Sequence, residues 1–401
     1  MGRYRVLSLD GGGVWALIQV KALIELYGPD KPGREVLQDF DLVAANSGGS
    51  IVLGCLIENF TLSKTLAFFN DEAERKAIFS KSVSLGDKVL HDLAGLGPKY
   101  SEKNKLLTFQ RVLAQKGNQF LSDAVAGIRR PGAKEDLHVL VISFDYDRNR
   151  ATFFRSTPAT GPQWGHGDAS KIKVAEAIHA STNAPVNYFD GPAIFPDREG
   201  RYWDGGISGC NNPVLVAVTE AIVKGNSPTD IVALSIGTAT VALPGPQPGD
   251  QSSSPYMREI SKPGIKNDLS KLAGAVLDDP PDIATFLAHV MTGSGAGLGT
   301  KVADSRIVRM SPLVSPVKKK ENGADVWTAP GSVTADQFKN LVNLDFDVVE
   351  QSEVDEISNY TDLWLKNEVP NQPVRMNGST LVCELGQGTF DNAKAAWKAI
   401  M

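Results

Sequence analysis

Three short glycine-containing motifs carry the residue types that an attack on an ester requires. They are Asp10-Gly11-Gly12-Gly13, Ala45-Asn46-Ser47-Gly48-Gly49 and Asp204-Gly205-Gly206. A serine hydroxyl is a poor nucleophile until a neighbouring base accepts its proton, and an aspartate carboxylate can be that base. The three motifs therefore predict a nucleophile, its base and a set of donors for a developing negative charge.

Ser47 lies in the sequence pattern of a sharp strand-to-helix turn. An apolar run over 40–44 precedes it, Gly48 and Gly49 follow it, and the apolar segment 50–57 is predicted as a buried helix. Such an elbow strains the serine backbone and exposes its side chain at the carboxyl edge of a sheet. The helix N-terminus behind it favours negative charge on a bound reactant. Taken alone, the pattern also fits a purely structural turn.

The other two motifs suit charge stabilisation and proton transfer. Gly11, Gly12 and Gly13 expose backbone N–H groups without obstructing side chains, and one such donor to an oxyanion contributes roughly 3 kcal/mol. The segment lacks both the Lys-Ser/Thr pair of a phosphate loop and the GxGxxG spacing of a dinucleotide site. Asp204 stands in a second turn, from which its carboxylate can face Ser47. Each motif in isolation also fits an ordinary turn.

The histidines offer a competing mechanism. None of the five lies in the three motifs, and His179, on a predicted helix before Asn183, is the candidate for a Ser-His-Asp triad. We interpret it instead as a packed or partly exposed helix residue. His138 is interpreted as structural, and His91 and His166 fall in polar loops.

Composition limits the class of protein. The 401 residues are 42% hydrophobic and 22% charged, which is ordinary globular composition. A formal net charge of −5 leaves no basic surplus for a nucleic-acid partner. The three cysteines have no metal-ligand spacing and form no disulfide framework. Neither a signal peptide pattern nor a membrane-length apolar run is present. We therefore expect a cytoplasmic protein with peripheral membrane contact at most.

The elements that must position the motifs follow an alternating order. Strand, tight turn and helix occur in succession twice, over 5–27 and 40–57, which is typical of a parallel sheet flanked by helices. Residues 137–144 form a further predicted buried strand. The segment 241–300 combines Pro-, Gly- and Ser-rich stretches with an apolar helix, and it is a candidate lid or flexible insertion. The alternative is that this helix packs on the core. A polar-faced helix is predicted over 338–365.

The motifs also occur in the order found in patatin-like phospholipases, a family of serine lipid acyl hydrolases that this chain resembles over about residues 4–315. The segments that carry the resemblance are VLSLDGGG (6–13), ANSGG (45–49), ASTNAPVNYF (180–189), WDGGISGCNNPVLVAV (203–218), LSIGTA (234–239) and RIVRMSP (306–312). The resemblance implies a three-layer α/β/α fold with a mainly parallel central sheet as the catalytic domain, residues 1–315. We predict a mainly helical C-terminal extension, 316–401, packed on it.

The resemblance implies a reaction and assigns its residues. Ser47 would be the nucleophile and Asp204 its partner in a dyad without histidine, with Gly11, Gly12 and Gly13 as the oxyanion hole. The supporting glycines of the elbow and the turn would be Gly49, Gly205 and Gly206. A lipid or other acyl ester would acylate the serine, release a lysolipid or alcohol, and be hydrolysed from it by water. No metal or organic cofactor is implied.

Two positions depart from the family's pattern. Trp15-Ala16 stands where the family usually has a basic residue and a glycine, which leaves the preference for anionic head groups open, and Ala45 replaces the first glycine of the elbow. Neither change removes a catalytic group. The alternative function is a catalytically silent or regulated lipid-binding protein of the same fold. The sequence does not indicate acyl-chain length, positional preference, an activating signal or an oligomeric state.

Overall fold

The computed structural model describes residues 3–79, 100–158, 170–185, 188–246, 255–258, 263, 280–293, 305–377 and 382–401. Within these ranges, a central sheet lies between helices. Its eight strands are β1 Tyr4–Leu9, β2 Leu42–Asn46, β3 His138–Asp145, β4 Arg150–Arg155, β5 Ala193–Phe195, β6 Arg198–Asp204, β7 Ile231–Ile236 and β8 Ile307–Met310.

The sheet is mainly parallel, as predicted. Its strands follow the order β5-β6-β3-β2-β1-β7-β8, and β4 pairs with β3 off this path. The five strands β3, β2, β1, β7 and β8 run parallel to one another, whereas β4, β5 and β6 pair antiparallel. The turns that follow β1, β2 and β7 therefore share one edge of the sheet, which is where ligands bind in open α/β sheets.

Strand β3 brings the ends of β2 and β6 together. Because β4 pairs with β3 over 140–145 along one edge, β2 and β6 must share the other edge. The last residue of β2, Asn46, faces Ile142, and the last residue of β6, Asp204, faces the next position, Ser143. The carboxyl ends of the two strands consequently meet end to end, directly before Ser47.

Helices cover both faces of the sheet. They are α1 Leu17–Tyr27, α2 Gly33–Leu37, α3 Ser47–Ile57, α4 Leu62–Asn70, α5 Glu72–Ile78, α6 Glu102–Val112, α7 Leu121–Val125, α8 Val174–Ser181, α9 Val214–Val223, α10 Pro280–Met291, α11 Ala335–Val342, α12 Gln351–Leu365 and α13 Phe390–Ile400. Alternate residues of a strand face opposite sides of a sheet. Accordingly, Leu7 and Leu9 of β1 join the larger hydrophobic cluster with α1 and α3, while Val6 joins the smaller one with α9 and α10.

The C-terminal region contains two small antiparallel sheets besides helices α11, α12 and α13. Strand β9, Val317–Glu321, pairs with β10, Ala324–Thr328, and β11, Arg375–Asn377, pairs with β12, Val382–Leu385. The region contacts the rest of the chain through buried side chains. Trp397 of α13, for example, stacks on Phe40 with ring centroids 5.9 Å apart.

The helix predicted over 338–365 is in fact two helices, and this prediction was wrong. Helix α11 ends at Val342 and α12 begins at Gln351. Between them, Phe346 accepts a hydrogen bond from Val14 N–H at 3.2 Å. Asp347 accepts one from the Tyr100 hydroxyl at 2.6 Å. These long-range contacts hold the connecting segment against the N-terminal half of the chain, so the helix cannot run through it.

The candidate lid 241–300 lies largely outside the described residues. Within its described part, α10 packs Ala284 and Ala288 against the cluster that contains α9. The apolar side chains of Ile283, Leu287 and Val290 are exposed. No helix in the described ranges is long and apolar enough to span a bilayer.

Candidate active site

Ser47 occupies the strained elbow that the sequence predicted. Its φ is +44°, in the left-handed region that non-glycine residues seldom adopt, whereas Asn46 before it is extended. A Cβ on Gly48 would lie 2.4 Å from Gly13 O, and one on Gly49 would lie 2.4 Å from Leu9 O. Glycines are therefore required because the elbow presses against strand β1 and the turn that follows it.

Hydrogen bonds hold the elbow in this conformation. The Ser47 N–H donates to Ser181 Oγ at 2.9 Å, at the end of helix α8. The Ser50 hydroxyl donates to Ser47 O at 2.6 Å. Strain of this kind costs about 1–3 kcal/mol and persists only where the surroundings fix it. Both backbone polar groups of the serine are satisfied, and its half-buried side chain is left for chemistry.

The buried carboxyl of Asp204 lies beside this serine. It interacts with the Ser47 side chain. Its Oδ1 accepts a hydrogen bond from Gly206 N–H at 2.7 Å and one from Asn46 Nδ2 at 3.4 Å. The Asp204 N–H donates to Asn183 O at 2.9 Å. The structure thus brings the predicted nucleophile and the predicted base next to each other.

The environment tunes the proton affinity of this carboxyl. Burial raises the pKa of Asp204, because the ionised form loses hydration. Hydrogen bonds from Ser47 and Gly206, the charge of Lys105 and the Asn46 amide act in the opposite direction. A carboxylate whose pKa is raised from its ordinary value is a better proton acceptor, and general bases are most effective when their pKa lies near the working pH.

Lys105 is a buried amine that was not predicted from the sequence. Its side chain is fully buried on helix α6, with Nζ 2.8 Å from Asn183 Oδ1 and 3.7 Å from the centroid of the Phe189 ring. Burial lowers the pKa of Lys105 well below its usual range, and the charge of Asp204 raises it again. Lys105 therefore acts on Asp204 both through its charge and through Asn183, which holds the Asp204 backbone.

The glycine turn passes alongside the nucleophile. A Cβ on Gly11 would lie 3.0 Å from Ser47 Cβ. The Gly11 N–H donates to Asn211 O at 2.9 Å, so this donor is already engaged. The Thr238 hydroxyl donates to Gly11 O. Within the described part of the chain, neither the Gly12 nor the Gly13 N–H has an acceptor. Two of the three predicted oxyanion donors are thus available.

A buried ion pair fixes the start of the turn. Arg309 of β8 donates to Asp10 Oδ2 at 2.6 Å, and both side chains are almost fully buried. Arg309 also donates to Ser235 Oγ at 2.8 Å. The Asp10 carbonyl accepts from Gln19 Nε2 at 2.8 Å. The segment around Arg309 contributed only to the family resemblance in sequence, because no local pattern pairs residues so far apart.

A cavity of about 290 Å³ adjoins the turn. Its lining includes Trp15, Asn211, Thr238, Leu243, Arg258 and Phe346. Trp15 is buried, and its indole N–H donates to Asp345 O at 3.0 Å. The tryptophan that replaces the expected basic residue is therefore a wall of this cavity. Asn211 links the cavity to the elbow, since its Oδ1 accepts from Asn46 Nδ2 at 3.3 Å.

His179 is placed differently from a triad histidine. Its Nε2 lies 3.3 Å from Glu102 Oε2, and its ring meets Phe195 edge to face. Burial lowers the pKa of His179 to about 4, with a further contribution from Lys105. None of its contacts in the described ranges is with Ser47 or Asp204. His91 and His166 lie outside those ranges. In the same described part, no cluster of histidine, cysteine and acidic side chains could hold a metal ion.

Comparison with known proteins identifies the family. The family model for patatin-like phospholipases matches residues 7–218, more than half of the chain. The chain therefore belongs to the patatin-like phospholipase family, which supports lipid acyl hydrolase activity in general terms. No curated protein matches the chain. Among solved structures, VipD from Legionella pneumophila is similar, with 11% identity and a TM-score of 0.34 over 90% of this chain and 67% of VipD.

Proposed function

We propose that the protein is a lipid acyl hydrolase of the phospholipase A or carboxylesterase type that uses a Ser47–Asp204 dyad. The observation that carries this proposal is the meeting of β2 and β6 at their carboxyl ends, which places Ser47, on a strained elbow, next to the buried Asp204 carboxyl. A nucleophile within hydrogen-bonding reach of its base is the arrangement that covalent catalysis needs. The substrate is a lipid or other acyl ester, and membrane contact is peripheral.

The proposed reaction has two acyl-transfer steps. Asp204 accepts the proton of the Ser47 hydroxyl as Oγ bonds to the ester carbonyl carbon. The tetrahedral intermediate collapses, the bond to the alcohol oxygen breaks, and that oxygen takes the proton from Asp204. Water then attacks the acyl-enzyme while Asp204 accepts its proton, and Ser47 regains a proton as the fatty acid leaves. Neither step calls for a metal or an organic cofactor.

The oxyanion donors of this proposal are the N–H groups of Gly12 and Gly13. Both lack an acceptor among the described residues, whereas the Gly11 N–H is bonded to Asn211 O. Gly11 instead shapes the turn, since a Cβ at this position would lie 2.2 Å from Asn211 Oδ1 and 3.0 Å from Ser47 Cβ. The N-terminus of helix α3, which begins at Ser47, adds a favourable dipole for negative charge.

The test compares wild type with Ser47→Ala and Asp204→Asn. A matched control is Asp197→Asn, because Asp197 is 84% exposed. Hydrolysis of a p-nitrophenyl ester and of a phospholipid is measured, and loss of the nucleophile or its base is expected to lower kcat by roughly 10⁴-fold. A fluorophosphonate should label wild type and the control but not Ser47→Ala. Equal turnover in all four proteins would reject the dyad.

The alternative is a catalytically silent or regulated lipid-binding protein. It predicts that wild type binds lipid vesicles without hydrolysis and is not labelled by the fluorophosphonate. The same four proteins and the same labelling reaction therefore separate the two functions.

A further inference from the structure

We propose that the 290 Å³ cavity beside the glycine turn receives the alcohol portion of the substrate, and that Arg258 binds an anionic group on it. The ligand class is an acyl ester whose alcohol carries a phosphate or similar anion. This inference rests on the proposed function, because it places the cleaved ester at Ser47.

The position of the cavity supports this assignment. Asn211 and Thr238 belong to its lining, and both are bonded to Gly11, one through its backbone carbonyl and one through its hydroxyl. Gly11 in turn lies against Ser47. A group attached to an ester at Ser47 can therefore enter the cavity directly past the turn.

The chemistry of the lining indicates which part of the substrate enters. Trp15, Leu243 and Phe346 give it apolar walls, while Asn211 and Thr238 add polar groups. A smaller pocket lined by Gly13 and Val14 is otherwise almost entirely apolar, formed by Ile51, Phe68, Phe69, Ile78 and Phe79. Arg75, the charged residue of its described lining, donates to the carbonyls of Phe69 and Val349 and to Gln351. The polar, larger cavity consequently suits the alcohol portion better than an acyl chain.

Arg258 supplies the charge that Trp15 does not. It is exposed, and among the described residues it is the one charged side chain that lines the cavity. No hydrogen bond or ion pair engages its guanidinium within the described ranges. Its backbone N–H donates to Pro244 O at 2.9 Å, and the neighbouring Tyr256 packs on Phe338. The segment is thus anchored while the guanidinium remains available, and guanidinium forks bind phosphate well.

The nearest acidic side chain in sequence to the lining is directed elsewhere. Asp345 lies between Leu344 and Phe346, and its Oδ1 accepts from the Tyr188 hydroxyl at 2.6 Å. The same oxygen accepts from the Phe346 N–H at 2.8 Å. The Asp345 carboxylate is therefore hydrogen-bonded to the Tyr188 hydroxyl and the Phe346 N–H.

The test uses short-chain esters that stay monomeric, dihexanoyl phosphatidic acid and dihexanoylglycerol. Wild type, Arg258→Gln, Arg258→Lys and the control Arg150→Gln are compared, since Arg150 is exposed on β4. We expect Arg258→Gln to lower kcat/KM for the anionic ester about tenfold, through KM. The neutral ester should be unaffected, and Arg258→Lys should retain most of the preference.

A binding measurement separates this inference from the proposed function. Calorimetry on Ser47→Ala, with and without Arg258→Gln, uses a dihexyl ether analogue of phosphatidic acid and, separately, inorganic phosphate. Ether-lipid binding that depends on Arg258 supports the cavity as the binding site. This holds even if wild type hydrolyses neither ester, because the lack of hydrolysis would reject only the dyad. If inorganic phosphate binds as tightly as the ether lipid, the site is one for a free anion. Unchanged ether-lipid binding in Arg258→Gln, or equal losses on both esters, would overturn the inference.

Discussion

The Asn46 amide nitrogen lies 3.4 Å from Asp204 Oδ1, at the point where strands β2 and β6 meet end to end. Asn46 is fully buried and directly precedes Ser47. Its amide also lies 3.3 Å from Asn211 Oδ1. One side chain thus connects the elbow, the Asp204 carboxyl and the wall of the adjoining cavity.

Replacing this amide by a carboxylate should shift the pH dependence of catalysis. Asn46→Asp removes a donor to Asp204 and adds a like charge, and both changes raise the pKa of Asp204 further. In the proposed mechanism Asp204 acts as a base only when ionised, so activity is lost as pH falls through that pKa. The acid limb of kcat/KM should therefore move to higher pH. The control Asn392→Asp, exposed on α13, should leave the profile unchanged; an unshifted limb in Asn46→Asp would contradict the assignment of Asp204 as base.

Lys105 should act on the same acid limb without touching the substrate. Lys105→Met removes a buried amine whose charged form lowers the pKa of Asp204, so the limb should again move to higher pH. Lys105→Arg keeps the charge and should restore the profile if it folds. A fall in kcat at every pH with an unmoved limb would indicate a packing role alone. The pH profile of kcat/KM and the melting temperature are measured for both variants.

A methyl group on the glycine turn should disturb the site more than the fold. In Gly11→Ala, the new Cβ would lie 2.2 Å from Asn211 Oδ1 and 2.7 Å from Asn46 Nδ2. These are mobile ends of side chains, which can move at the expense of the network. We expect kcat/KM to fall at least about tenfold, with a small change in melting temperature. Gly245→Ala, where no atom lies within 4 Å, is the control; equal activity in both would show that the turn tolerates a side chain.

His179 should be dispensable for the chemistry. His179→Leu removes a buried imidazole that contacts Glu102 and Phe195. We expect kcat to stay within about threefold of wild type, because no transition-state contact is lost. The melting temperature reports the packing effect separately. A loss of roughly 10³-fold or more in kcat with an unchanged melting temperature would support a histidine-dependent mechanism instead.

The buried pair of Asp10 and Arg309 should dominate local stability. Arg309→Met leaves the Asp10 carboxyl buried without its partner, which typically costs about 3–5 kcal/mol of unfolding free energy. Arg129→Met breaks an ion pair with Asp136 that is largely exposed, and it should cost no more than about 1 kcal/mol. Urea denaturation measures both. Similar losses in the two variants would mean that the buried pair contributes little beyond a surface one.

The sequence predicted those parts of the site that local backbone geometry dictates. The placement of Ser47 between an apolar strand and two glycines is enough to indicate the elbow. The parallel sheet followed from the repeated strand-turn-helix order. Lys105 was not predicted, since it lies in a charged segment whose pattern is typical of a surface helix. Its role depends on Asn183, which is distant in sequence, and periodicity does not report such pairings.

The connecting segment between α11 and α12 was missed for a similar reason. Its residues have a polar composition that is compatible with one continuous helix over 338–365. What interrupts the helix is a hydrogen bond from Val14 N–H to Phe346 O and the indole donation from Trp15 to Asp345 O. The two donors, Val14 and Trp15, lie near the N-terminus and far from this segment in sequence. No local window of sequence therefore contains both ends of these hydrogen bonds.

The residues that line the cavity come partly from inside and partly from outside the span that the family model matches. Ser47 on the elbow, Asp204 and the glycine turn all lie inside residues 7–218, the span that the family model matches. Thr238, Leu243, Arg258 and Phe346, which line the cavity, lie beyond it. In the proposed function, the residues of bond cleavage therefore lie inside the matched span, whereas most of the cavity lining lies outside it and only Trp15 and Asn211 lie within it. Exchanging the distal stretch between relatives is therefore a route to new ester selectivity on an unaltered catalytic turn.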